Sequence, residues 1–149
     1  MTTLANYAAY QRMGDYVFMS GVIAVDAASK TVITRYDQLS ETARTDLHAL
    51  GYDTGQLSVD IFEAPIAAQS WFVLNRIREM TRECGGGLKD VARLVQYFRD
   101  LRHYPAYNRV RSQFFVHPVV STVVEVSRML PSDEVWVEVE ATLYLPVTA

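Results

Sequence analysis

Several features that define large protein classes are scarce in this sequence. Its one cysteine, Cys84, excludes an internal disulfide and is typical of a reducing compartment. The formal net charge is −3, and the 14 Lys and Arg residues are scattered among 17 acids, so no basic stripe can follow a nucleic-acid backbone. No apolar run approaches the roughly 20 residues that span a bilayer. We therefore expect a cytoplasmic protein without a membrane segment, for which nucleic acid is a poor partner.

Motifs for metal and phosphate binding are also missing. His48, His103 and His117 have no metal-ligand spacing among themselves or with Cys84, so the sequence predicts no metal site. The glycine run at 85–87 follows a predicted helix, whereas a phosphate-binding loop precedes the helix whose amide groups hold the anion. We interpret this run as the end of that helix.

Two runs of alternating Val and polar residues dominate the C-terminal part. Residues 119–130 and 135–143, separated by a turn-forming Pro-Ser-Asp sequence, predict a pair of antiparallel strands. Strand side chains alternate between two faces, which places Glu138 and Glu140 on the polar face of the second run and Ser121 on that of the first. The predicted apolar faces comprise Val120, Thr122, Val124, Val126 and Leu130 in the first run and Val135, Val137, Val139, Ala141 and Leu143 in the second.

The remaining pattern predicts a single α+β domain over residues 1–149, because a chain that is 50% hydrophobic can build one substantial core. Two main helices on one face of a mixed sheet make a two-layer sandwich. A segment at about 30–63 is predicted to be inserted before the long helix. Further strands are predicted at 7–13, 16–20 and 90–101, and helices at 41–50 with Ser40 as its cap, at 64–84 with Pro65 in its first turn, and at 104–115.

Two helices cannot cover both faces of such a sheet. The uncovered face is predicted to carry Val119, Val123, Trp136 and Tyr144, which is a large apolar surface for a monomer. We therefore expect the chain to associate with copies of itself in a closed ring.

Several short blocks match a known family pattern in their order and spacing. They are MGDYVFMSG at 13–21, Ala67-Ala68-Gln69 with Asn75, GLKDV at 87–91, VEVSRM at 124–129 and VEVEA at 137–141. Through these blocks the chain resembles the RidA/YjgF/UK114 family, also called the L-PSP endoribonuclease family. The resemblance implies a chorismate-mutase-like protomer, a homotrimer around a central β-barrel, and ligand sites in the clefts between subunits. It also implies hydrolysis of enamines or imines to carbonyl products and ammonia, with no cofactor.

The resemblance further implies roles for individual residues. Glu138 is expected to be the catalytic residue that positions the attacking water, while Tyr7 and Gly21 shape the pocket. Arg102 occupies the position of a pocket asparagine in several relatives, and it would hold an anionic ligand from the opposite wall.

Ser121 stands where deaminase members of the family carry the arginine that grips the substrate carboxylate. A serine cannot form the charged bidentate contact of a guanidinium, so Ser121 and Thr122 are expected to offer hydrogen bonds to the ligand instead. Three functions therefore stay open. They are hydrolysis of an imine or enamine of an anionic or carbonyl-containing metabolite, non-catalytic metabolite binding by a regulatory trimer, and an endoribonuclease or translation inhibitor, which the net charge of −3 disfavours.

Overall fold

Residues 3–147, which the computed structural model describes, form eight strands and three α-helices. No helix in this part of the chain is long and apolar enough to cross a membrane. The strands are β1 (Tyr10–Met13), β2 (Tyr16–Met19), β3 (Val22–Ile23), β4 (Val25–Asp26), β5 (Thr31–Val32), β6 (Val91–Phe98), β7 (Val120–Glu125) and β8 (Val137–Tyr144), and the helices are α1 (Glu41–Ala49), α2 (Leu57–Glu83) and α3 (Tyr104–Phe114).

The main sheet is mixed and has the order β1-β2-β8-β6-β7, while β3 pairs with the N-terminal part of β8. β6 and β7 are parallel, and the other neighbours are antiparallel. The predicted antiparallel pairing of the two C-terminal runs is wrong, because β6 lies between β7 and β8. Alternation identifies a strand without identifying its partner, and residues 126–136 form a connection long enough to bypass one strand about 4.8 Å wide.

Helices α2 and α3 pack against each other, and α2 packs against β8, so they cover one face of the sheet. This arrangement confirms the predicted two-layer α+β sandwich with two main helices on one face. Full burial of one Val, Leu or Ile side chain contributes roughly 1.5–3 kcal/mol to folding, so the core between the layers is a large part of the stability. Its buried side chains include Ile66, Val73, Leu74, Ile77 and Met80 from α2, Tyr107 and Val110 from α3, and Val137, Val139, Ala141 and Leu143 from β8.

Helix α2 begins about two turns earlier than predicted. It starts at Leu57, so Pro65 lies inside the helix and not in its first turn. A proline there lacks the N–H that would bond the carbonyl of Ile61. The periodicity did not indicate these first turns because several of their apolar side chains face solvent, with Leu57 77% and Phe62 78% exposed.

The predicted cap of α1 and the predicted C-terminal end of α2 agree with the structure. The Ser40 hydroxyl caps α1 by accepting a hydrogen bond from the N–H of Ala43 at 3.2 Å. At the end of α2, Gly85 adopts a φ of 86°, and the N–H of Gly86 bonds the carbonyl of Thr81 at 2.9 Å. The glycine run therefore ends the helix as a left-handed cap.

Strand β7 presents the opposite face from the one predicted. Its register with β6 pairs Ser121 with Leu94 and Val123 with Gln96, and both β6 residues are fully buried. Val119 and Val123 accordingly pack against the main core. The predicted core face, which begins at Val120, points away from the helices. Alternation assigned the wrong face because the more apolar one, with Val120 and Val124, is the one that does not pack on the helices.

The face of the sheet without helices exposes a group of large apolar side chains. Aromatic and aliphatic residues of β1, β2, β7 and β8 share this uncovered face. Its exposed members are Met13, Tyr16, Phe18, Val120 and Tyr144. Of the residues predicted there, Tyr144 belongs to this group, whereas Val119, Val123 and Trp136 pack against the main core.

A separate hairpin, β4–β5, spans the start of the predicted insertion. Its base residues Val25 and Val32 form a second small core with Val135, and Leu4 and Met129 pack against that core. The rest of segment 30–63 contains α1 and the first turns of α2. The hairpin is therefore fixed against the segment that leads into β8.

Candidate functional site

A cavity of about 530 Å³ opens beside the N-terminal part of β8. It brings together Tyr7, Gly21 and Glu138, although 131 positions of the sequence separate the first of them from the last (138 − 7). The N-terminal segment, the turn after β2, the β4–β5 hairpin and the loop before β8 all contribute walls. The remaining lining residues are Leu4, Ala5, Ser20, Ile23, Val25, Lys30, Leu130 and Pro131.

Ser20 fixes the N-terminal wall of this cavity. Its hydroxyl donates to the carbonyl of Ala8 at 2.7 Å, and its N–H donates to the carbonyl of Ala9 at 2.9 Å. These two bonds hold the segment that carries Tyr7 beside the turn at Gly21. Tyr7 remains 43% exposed, so its ring lies at the mouth of the cavity.

Gly21 allows the carboxylate of Glu138 to lie against the backbone. A Cβ atom added at Gly21 would be 2.6 Å from Oε2 and 2.9 Å from Cδ of Glu138. The pairing of β3 with β8 brings them together, since Ile23 is the register partner of Glu138. A glycine is therefore required at position 21 for Glu138 to keep this position.

Glu138 is in an environment that favours its protonated form. Partial burial and, to a smaller extent, the nearby Glu140 carboxylate raise the pKa of Glu138. Glu140 is held by the hydroxyl of Tyr97, which donates to its Oε1 at 2.7 Å, and this bond raises the pKa of Tyr97. A carboxyl with a raised pKa accepts and returns a proton more readily near neutral pH.

Ser121 and Thr122 do not line this cavity. Ser121 was predicted to share the face of the two acids, but its hydroxyl accepts hydrogen bonds from Gln96 Nε2 at 2.7 Å and from Arg111 Nη1 at 3.1 Å on the helical side. Gln96 is fully buried, and it also donates to the carbonyl of Thr122 at 3.1 Å. The Thr122 side chain lies on the opposite face of β7, where it is exposed.

Arg102 also lies outside the cavity. It belongs to a 3₁₀ turn after β6, and its side chain is 90% exposed. Arg102 Nε donates to both carboxylate oxygens of Asp100 at 3.0 Å. The guanidinium lowers the pKa of Asp100 far below its usual range. Within this protomer, Arg102 is therefore paired with an acid of its own turn and does not face Glu138.

Arg111, which was not predicted as a functional residue, has its guanidinium beside Ser121. Its Nη1 donates to Gln96 Oε1 at 2.8 Å and its Nη2 to Asn108 Oδ1 at 2.7 Å. Tyr104 also accepts from Nη2, at 3.3 Å. Tyr104, Asn108 and Arg111 recur at helical spacing on α3, and that recurrence was the available signal. All these acceptors are uncharged.

Lys30 was missed as well, because it lies in a segment without periodicity. It is the one lysine or arginine among the residues that line the 530 Å³ cavity. A smaller adjoining cavity of about 40 Å³ shares Tyr7 and Gly21 and is lined by Arg76 and Met80 of α2. Across residues 3–147, no three His, Cys, Asp or Glu side chains come close enough to hold a metal ion.

Comparisons with known proteins agree on one family. The family model described as Endoribonuclease L-PSP matches residues 42–145. A RutC family protein of Pyrococcus abyssi is 35% identical over 96 residues, which cover 60% of this chain and 74% of that protein. A solved structure of a candidate endoribonuclease from Klebsiella pneumoniae shares 48% identity and a TM-score of 0.88, covering 94% of this chain and 100% of that one. RidA from an Antarctic Psychrobacter, at 19% identity and a TM-score of 0.70 over 97% of this chain and 92% of that one, shares the fold.

Proposed function

The chain belongs to the Endoribonuclease L-PSP family, which includes the RidA/YjgF proteins, and from that premise we propose that it hydrolyses an imine or enamine of a small carbonyl compound. The observation that carries the proposal is the Glu138 carboxylate, held against Gly21 inside a cavity. A volume of about 530 Å³ suits a small metabolite.

In the proposed reaction, Glu138 takes a proton from a water molecule as the water oxygen bonds to the imine carbon. The C=N π electrons move to nitrogen, which takes a proton from solvent, and a neutral carbinolamine forms. Glu138 then returns its proton to that nitrogen, the C–N bond breaks with its electron pair leaving on ammonia, and the hydroxyl proton passes to solvent as the carbonyl forms. One imine and one water thus give one carbonyl compound and one ammonia. The raised pKa of Glu138 supports both transfers near neutral pH.

Tyr7 and Gly21 contribute by shaping the site. Tyr7 lies at the cavity mouth, where its ring would cover a bound ligand, and Gly21 leaves the space that Glu138 occupies. Holding an electrophilic imine and a water together supplies a large part of such a reaction, because positioning alone can contribute several kcal/mol.

We further propose that the working form is a homotrimer in which the uncovered faces of three sheets meet. The exposed Tyr16, Phe18, Val120 and Tyr144 support this assembly, since a group of large apolar side chains is costly to leave in water. A neighbouring copy would then complete the walls of the open cavity. In this trimer, Arg102, Ser121 and Thr122 would contact a ligand only across the subunit interface, because none of the three lines the cavity of its own protomer.

A non-catalytic metabolite-binding or regulatory trimer is the second candidate. It is favoured by Ser121, which stands where the resemblance places the carboxylate-gripping arginine and whose hydroxyl is engaged by Gln96 and Arg111. An RNA-cleaving function has weaker support, because a net charge of −3 disfavours binding to a phosphate backbone.

Ammonia release from freshly generated 2-aminoacrylate separates these functions. We expect turnover by the parent protein and a loss of about 100-fold or more in Glu138→Gln, the range for removal of a general base. Tyr7→Phe is a milder variant of the same site that retains the ring. Binding of a keto acid without ammonia release would favour the non-catalytic candidate, whereas equal turnover by Glu138→Gln would contradict the role of Glu138.

A further inference from the structure

Two charged residues of opposite sign line the cavity, Glu138 and Lys30, and most of the other lining residues are apolar. A lysine paired with Glu138 would lower the pKa of that carboxyl, whereas burial and Glu140 raise it and no effect of Lys30 opposes them. No ion pair between described side chains involves Lys30. Lys30 therefore lines the cavity without forming an ion pair with the carboxylate there.

The position of Lys30 is fixed by its backbone. It is the last residue of the β4–β5 turn, with a left-handed φ of 59°, and its N–H donates to the carbonyl of Asp26 at 2.8 Å. The Asp26 carboxylate accepts from the N–H of Ala28 at 2.8 Å, which closes the turn. A lysine rarely adopts this conformation, because its Cβ approaches the following carbonyl.

The base of the hairpin is fixed as well. Val25 and Val32 pair directly and pack with the fully buried Val135. The loop that contributes Leu130 to the cavity runs into Val135 and then into β8, which carries Glu138. The lysine and the catalytic carboxylate thus stand on two elements that share one small core, so their spacing is maintained.

Two other cationic side chains, those of Arg102 and Arg111, are engaged elsewhere. Arg102 pairs with Asp100 outside the cavity, and the Nη groups of Arg111 donate to neutral oxygens on the helical side. Neither residue lines the cavity of Glu138 within the protomer. Lys30 carries three donors on a flexible stem, and an ammonium forms charge-assisted hydrogen bonds with carboxylates.

We propose that Lys30 binds the carboxylate of the substrate, so that the β4–β5 hairpin selects anionic imines for the site of Glu138. This inference rests on the proposed function, in that the ligand sits beside Glu138. It assigns the specificity for an anion to the segment that precedes α1, and not to β7, where Ser121 stands.

Pyruvate and pyruvamide provide the test, because they have nearly the same shape and differ in charge. Binding of each to the full-length protein is measured by calorimetry at low salt. We expect pyruvate to bind about tenfold more tightly, as one charge-assisted contact allows. Lys30→Met should remove this preference and leave pyruvamide binding unchanged, whereas Lys30→Arg should retain it. Lys89→Met is the matched control, since it makes the same substitution at an exposed lysine that does not line the cavity of Glu138.

Lys30→Gly distinguishes a binding role from a structural one. Glycine adopts a positive φ without strain, so its thermal midpoint should equal or exceed that of the parent, while the preference for pyruvate is lost. A preference for pyruvate that survives in Lys30→Met, or equal binding of the two ligands by the parent, would overturn the inference. Ammonia release is scored separately. If no ammonia is released but the preference for pyruvate depends on Lys30, only the proposed hydrolysis is contradicted. If ammonia is released but the preference for pyruvate does not depend on Lys30, only the role of Lys30 is contradicted.

Discussion

The close approach of Gly21 and Glu138 gives a sharp test of the site. In Gly21→Ala, the new Cβ would lie 2.6 Å from Glu138 Oε2, and an ordinary contact needs about 3.4 Å, so the oxygen must move by about 0.8 Å. A displacement near 1 Å at a catalytic group can cost on the order of 100-fold in rate. We therefore expect kcat/KM for the imine to fall about 30- to 100-fold.

The same substitution should leave the fold intact. The obstructing atoms are at the end of the flexible Glu138 side chain, and moving it off its preferred rotamer costs roughly 0.5–1.5 kcal/mol. Replacing a glycine whose backbone is not left-handed gains about 0.4–1 kcal/mol by restricting the unfolded chain. The two effects nearly cancel, so the free energy of unfolding in urea should change by less than about 1 kcal/mol.

Gly87→Ala is the matched control, because Gly87 has an extended φ of −157° and no atom within 4 Å of an added Cβ. It should keep full activity. A double-mutant cycle adds a stricter criterion. If Gly21 acts through Glu138, then Gly21→Ala should cause no further loss in the Glu138→Gln background. Full activity in Gly21→Ala, or two independent losses in the cycle, would refute the argument.

Three further predictions concern stability and assembly. Glu138→Gln should be more stable than the parent near pH 7. Because the pKa of Glu138 is higher in the folded than in the unfolded protein, the parent loses stability as the pH rises from 4.5, the ordinary pKa of a glutamate, through the pKa of the folded state. In urea unfolding, the difference between the two proteins should vanish below pH 4.5. Gln69→Leu should cost about 2–4 kcal/mol in the same assay, because the buried amide bonds two backbone groups of segment 134–136, at 2.7 and 2.9 Å, and a cost near zero would contradict this. Phe18→Asp should convert the assembly to monomers in light scattering, and an unchanged mass would exclude the uncovered face as the interface.

The sequence predicted the elements that have a clear period and clear end signals. α1 has a serine cap, α3 begins beside Pro105, and the buried face of β8 alternates as expected. The prediction that Gly21 and Glu138 share one site came from the family resemblance and not from periodicity. These features are local, or they depend on strand pairs that the family pattern preserves.

Features that depend on packing between distant elements could not be predicted in this way. The face of β7 that packs on the helices is set by its register with β6, and it is the less apolar of the two. The contact of Arg111 with Ser121 depends on where α3 crosses β7. Lys30 reaches the cavity because a short hairpin packs on Val135, and no periodicity marks that hairpin.

The position of Ser121 is more than the absence of an arginine. Its hydroxyl accepts from both the buried Gln96 amide and the Arg111 guanidinium, and the Arg111 charge already occupies that side of β7. A second arginine at position 121 would have no acceptor there and would face a like charge, which is unfavourable in a partly buried setting. If the proposed role of Lys30 is right, the β4–β5 hairpin provides the positive charge for the ligand in place of β7, while the proposed catalytic carboxylate, Glu138, keeps its place in the same cavity.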